Sequence, residues 1–173
     1  WGKFRSRVSA PGIWRFHALS GTMVGLNWLI YVWGVNAGRV VECSLGYFLN
    51  PLVSIALGVV VLRERLRPGQ WAGVALAAGG VLYLAVHAGG FPWLALSLAV
   101  TFGLYGLLKK KAPLGSVDGL LAETLALVVP SLLWIAWSES SPAGPLREAS
   151  LLEWGLVVGT GLVTTVPLLM FSA

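Results

Sequence analysis

The sequence predicts an all-α integral membrane bundle of six transmembrane helices, and three observations carry that prediction. Of 173 residues, 57% are hydrophobic and 11% charged, with mean hydropathy +0.79; a soluble domain averages about 25% charged residues. The apolar residues gather into six runs near the ~20-residue length that a helix needs to cross a bilayer. The cations are sorted by side. Lys3, Arg5, Arg7, Arg15, Arg63, Arg65, Arg67, Lys109, Lys110 and Lys111 fall on one side of the bundle, against Arg39 and Arg147 on the other. Ten against two fixes residues 1–12, 63–69 and 109–116 as cytoplasmic. The net charge of +5 therefore records topology rather than nucleic-acid binding.

The spans run over 13–35, 40–62, 70–88, 92–108, 117–137 and 152–172. Ser20, Asn27, Tyr31 and Gly34 share one face of the first. The second is interrupted by Asn50-Pro51 and stops at Arg63, Arg65 and Arg67. Cys43, Gly46/Tyr47, Asn50, Ser54 and Leu57 form a small, polar stripe on it, opposite Val41, Leu45, Phe48, Leu52, Ile55 and Val59. Such a stripe belongs against other helices. Pro51 cannot donate to the Tyr47 carbonyl, and in hydrocarbon that carbonyl needs another partner or a water-filled cavity. The third and fourth spans are short and glycine-rich. The fifth carries Glu123 inside the membrane with Pro130 beyond it, and the sixth carries Thr164-Thr165 before Pro167. Residues 138–150 are the most loop-like connection.

Gly21/Gly25, Gly69/Gly73 and Gly155/Gly159 are G-x-x-x-G pairs, which allow close approach of helix backbones. Packing inside the bundle is the favoured use, with homodimerisation as the other. Gly21-Thr22 and Gly159-Thr160, 138 residues apart in oppositely directed spans, echo one another as inverted repeats do. Trp14, Trp71, Trp93, Trp137 and Trp154 lie near span ends as interfacial anchors.

Enzyme motifs fail one by one. Glu42 stands where a nucleophile elbow around Ser44 needs glycine. There is no phosphate-binding glycine loop and no H-E-x-x-H, and His17 and His87 belong to different spans. Cys43 is the single cysteine, which excludes an internal disulfide and a multi-thiolate metal centre. No cofactor or metal is expected.

At NWLIYVWGVN (27–36), ECSLGYFLNPLVSIALGVVVLRERL (42–66), FGLYGLLKK (102–110), LLAETL (120–125) and VTTVPLL (163–169) the chain resembles the EamA family of the drug/metabolite transporter superfamily. The resemblance covers nearly the whole chain. It implies ten helices built as two inverted five-helix halves, of which these six would be the third to eighth. The chain, opening at Trp1 and closing at Ala173 within an apolar run, reads as a piece lacking both ends. Residues 1–88 would then be the C-terminal part of the first repeat and 89–173 the N-terminal part of the second, three helices each. The family often places glycine before the acid closing the second span of this chain, where Arg63 stands here.

The function so implied is secondary-active transport of a small metabolite or drug-like molecule by alternating access, in a bacterial inner membrane. The rival is a non-transporting membrane component that binds a partner through its glycine faces. Transporter sites gather where helices are interrupted near the midplane, so the substrate-binding candidates are Asn27, Tyr31, Tyr47, Asn50, Pro51, Thr164, Thr165 and Pro167. A carboxyl group inside a span costs about 2.5–3.5 kcal/mol at the helix centre and less near an end. Glu123 is the candidate for proton coupling, with interfacial anchoring or pairing with Lys109–Lys111 as the alternative. Glu42, near Arg39 at its helix start, is read as interfacial. The small-molecule substrate and the lipid bilayer are the expected partners.

Overall fold

The structure, a computed structural model, describes residues 11–87, 91–140 and 149–172. Six helices account for almost all of these: α1 Pro11–Asn36, α2 Val40–Val61, α3 Pro68–His87, α4 Trp93–Lys110, α5 Ser116–Glu139 and α6 Leu151–Ser172. Every one coincides with a span expected from hydropathy, to within two residues at each end. Residues 12–36 of α1, together with α2 and α5, are long and apolar enough to cross a membrane. This is an all-α, polytopic membrane fold.

Polar chemistry at the helix ends explains where the chain turns. α1 closes on Gly38, whose φ of +74° is open to glycine at little cost. The Arg39 amide donates to the Gly34 carbonyl at 2.9 Å and the Gly38 amide to Val35 at 3.0 Å, a Schellman closure. α2 ends without glycine at the turn. Arg63 takes φ +56°, and the amides of Leu62 and Glu64 both donate to the Gly58 carbonyl at 3.1 Å. α3 opens on Pro68, a favoured first helical residue, while the Gln70 side chain accepts from the Arg67 amide at 2.8 Å. At the start of α6 the Ser150 amide donates to Glu153 at 2.6 Å, and the Glu153 amide to Ser150 Oγ at 3.3 Å. That reciprocal pair is a capping box.

The chain divides into two compact units, residues 22–111 and residues 1–21 with 112–173. The first is organised by the packing of α2 against α4. Leu45 and Leu49 of α2 bury against Ala95 and Ala99 of α4, with Val53, Val81 and Leu96 around them. Cys43, Leu94 and Leu98 form a second cluster with Ile30 and Tyr31 of α1. Small residues set the spacing. A Cβ at Gly46 would meet Leu98 Cβ at 3.1 Å, and one at Gly103 would meet Val53 Cγ1 at 2.9 Å. The buried face of α2 is therefore rotated from the stripe that the sequence suggested. Leu45 is buried, whereas Tyr47 and Ser54 are exposed, because the leucines fit the alanines of α4.

The G-x-x-x-G pairs meet different fates. Gly21 lies in close contact, but a Cβ at Gly69, Gly73, Gly155 or Gly159 would meet nothing within 4 Å. Those four are not packing faces within the described residues. In the second unit, α5 continues through Pro130 and packs against α6.

Candidate functional site

Five of the sequence candidates fall in the unit of residues 22–111. Asn27 faces α4: its amide nitrogen donates to the Leu98 carbonyl at 2.8 Å and to Thr101 Oγ1 at 2.9 Å. Both amide hydrogens are thereby used, and Asn27 ties the middle of α1 to α4. One turn on, Tyr31 meets Tyr47 of α2 edge to face, with centroids 5.8 Å apart. Trp28 stacks edge-on against Tyr31 at 6.4 Å. The three rings make a continuous aromatic wall across α1 and α2, and Tyr47 remains 59% exposed.

Asn50 stands one turn below Tyr47, and its Oδ1 is buried with no hydrogen-bond partner. A buried amide oxygen without a donor costs on the order of 1–3 kcal/mol. A ligand N–H or O–H that reached it would remove that penalty. Pro51 follows inside α2, which remains helical through it. An apolar cleft of about 620 Å³ also opens in this unit, lined by Leu49, Val81, Phe91 and Leu96 among others. It contains none of the candidate residues, and the side chains lining it are all apolar.

At the end of α1, Arg39 makes two 2.6 Å bonds to Glu42. Its guanidinium lies 4.6 Å from the Trp93 ring centre and 5.9 Å from that of Trp33. The hydrogen bond to Glu42 pushes the Arg39 pKa further above its ordinary value. Glu42 is thus the ion-pair partner of Arg39 at the start of α2. At the opposite end of α2, Glu64 pairs with Lys110 of α4.

The second unit holds Glu123, which is 1% exposed. Ser20 Oγ of α1 donates to Glu123 Oε1 at 3.0 Å, and His17 Nδ1 lies 3.5 Å from the same oxygen. That is ion-pair distance without hydrogen-bond geometry, so neither nitrogen of His17 has a hydrogen-bond partner. His17 and Ser20 are both fully buried. A Cβ at Gly21 would stand 2.9 Å from the Glu123 carbonyl oxygen, so glycine there lets α5 approach. Sequence spacing put Ser20 on the polar face of α1 but passed over His17, whose partner lies on a distant helix. Thr164, Thr165 and Pro167 lie on α6. Thr165 Oγ1 donates to the Gly161 carbonyl at 2.7 Å, Thr164 is half-buried, and the Pro167 side chain lies outside the described residues.

Comparison with known proteins places this geometry in a family. Residues 1–86 match the EamA-like transporter family. An uncharacterized transporter of Pseudomonas aeruginosa is 43% identical, covering 94% of this chain and 58% of its own length. Protein RarD of Streptomyces exfoliatus is 43% identical over 99% of this chain and 55% of its own. Protein RarD of Escherichia coli is 38% identical over 100% of this chain and 58% of its own. The chain spans a little over half the length of these relatives. No solved structure matches it. With hydrophobic helices, the EamA match and this identity along nearly its whole length, the chain belongs to the EamA-like transporter family, on the branch of the RarD proteins.

Proposed function

We propose that the full-length protein is a secondary-active transporter that moves a small metabolite or drug-like molecule across a bacterial inner membrane. It would work by alternating access between two inverted repeats, and not as an enzyme. Relatives named as transporters support the class of activity. One relative, in Pseudomonas aeruginosa, is named chloramphenicol-sensitive protein RarD, and amphipathic molecules of comparable size are reasonable cargo to screen.

The observation that carries the site is the unpaired, buried Oδ1 of Asn50, one helical turn along α2 from Tyr47 of the Trp28–Tyr31–Tyr47 wall. An aromatic face with one convergent acceptor suits a ligand with an apolar body and one hydrogen-bond donor. Asn27, Tyr31, Tyr47, Asn50 and Pro51 are accordingly proposed to line the path. Thr164, Thr165 and Pro167 are proposed on the interrupted-helix argument alone, and Glu123 as the proton-coupling group.

Cargo is found by comparing metabolites exported by deletion and overexpressing cells, then measuring flux of the hit into liposomes holding full-length protein. Asn50→Ala abolishes that flux without lowering membrane abundance, and Glu123→Gln removes its dependence on a proton gradient. Flux at the parental rate in Asn50→Ala would show that Asn50 is only a structural contact.

A further inference from the structure

We propose that His17 and Glu123 form a two-residue site that holds one exchangeable proton, with Ser20 as its fixed hydrogen-bond donor. The pair brings an acid and a base together where water is excluded. His17 and Ser20 are 0% exposed and Glu123 1%. His17 lies six residues into α1 and Glu123 seven into α5, so at 1.5 Å per residue each sits roughly 9–11 Å from the N-terminal end of its helix. Gly21 holds the two helices close enough for the contact.

Glu123 Oε1 receives the Ser20 hydroxyl and stands 3.5 Å from His17 Nδ1. His17 Nε2 is buried without a partner. A structural histidine in a packed core is normally hydrogen-bonded through at least one nitrogen. This one keeps both nitrogens uncommitted beside a carboxyl group, which is the arrangement of a proton carrier.

The balance is simple. With one proton the pair is net neutral, either as imidazole with carboxylic acid or as imidazolium with carboxylate. Releasing that proton to water leaves imidazole and carboxylate, a net charge of −1 on the pair, with Ser20 still donating to Oε1. A charge exposed by release is costly in low dielectric, so release follows admission of water to the site. Other charged groups on the helices concerned are Arg15 of α1, Asp118 and Glu139 of α5, and Glu153 of the packed α6. Asp118 lies in the first turn of α5, Glu139 is its last residue, and Glu153 is engaged by Ser150.

Use of this proton to drive cargo rests on the transport reading above; its existence does not. The test is therefore spectroscopic, on the full-length protein in lipid, without cargo. Infrared difference spectra between acid and alkaline buffer show a buried carboxyl band that vanishes in Glu123→Gln. In His17→Gln the pH dependence of that band changes, because the second group sharing the proton is gone. By reciprocity the His17 ring, followed by nitrogen NMR, changes its response to pH in Glu123→Gln.

An unchanged pH dependence of the band in folded His17→Gln overturns the proposal. So does a band that answers to sodium at constant pH, which would make the site an alkali-cation site. Should His17→Gln fail to fold, the parental ring decides: one tautomer held from about pH 5 to about pH 9 overturns the shared proton. Flux that ignores the proton gradient, with the coupled titration intact, would sink the transport reading and leave the site standing.

Discussion

Arg63 occupies the left-handed region at the end of α2, with φ +56°. For an L-residue that conformation costs roughly 1–2 kcal/mol because Cβ crowds the following carbonyl oxygen. It persists because the turn delivers two amides to the Gly58 carbonyl and carries Glu64 back over Gly58 to reach Lys110. Glycine relieves the crowding but loses more freedom on folding. Arg63→Gly should therefore stabilise the protein by a net of roughly 0.5–1 kcal/mol, seen as a higher melting midpoint of the full-length protein in detergent. A lower midpoint would mean that the guanidinium makes a contact worth more than the strain.

Asn27 is the polar link between elements, donating from the middle of α1 to a carbonyl and a hydroxyl of α4. Interhelical hydrogen bonds of this kind average about 0.6 kcal/mol and reach about 1.7. A double-mutant cycle of Asn27→Ala with Thr101→Val should give a coupling energy in that range, read from unfolding in mixed micelles. Zero coupling would leave the Leu98 carbonyl as the partner that matters. The polar face of α1 was legible in the sequence, because Ser20, Asn27, Tyr31 and Gly34 recur at helical spacing and all four turn inward. The α2 face was misjudged by about one residue's rotation. Polarity pointed to Tyr47 and Ser54, while fit between Leu45 or Leu49 and the alanines of α4 decided the outcome. His17 could not be read at all: a single histidine in an apolar run gives no period, and its carboxyl partner is set by tertiary packing.

At the scale of the whole molecule, hydropathy placed all six helices, because spanning length acts on composition rather than on contacts. What no single sequence supplies is which helix faces meet, and the open surroundings of Gly73 and Gly159 show how little a small-residue motif says by itself. The orientation is directly testable. In full-length protein with Cys43 replaced by serine, Arg65→Cys and Lys110→Cys should react only with a reagent admitted to the cytoplasm. Ser141→Cys, outside the described residues, should react only from the opposite side. Ser141→Cys labelled from the cytoplasm would invert the assignment.

Cys43 is 1% exposed, with Sγ 4.0 Å from the Tyr31 carbonyl and tight against Gly34, where a Cβ would stand 2.5 Å from the sulfur. The native thiol is thus a clock for breathing of the α1–α2 seam. A maleimide can alkylate it only while the two helices part, so at saturating reagent the reaction rate becomes the opening rate itself. If alternating access requires the Tyr31–Tyr47 wall to separate, cargo should change that rate, and a rate indifferent to cargo would place the moving parts elsewhere.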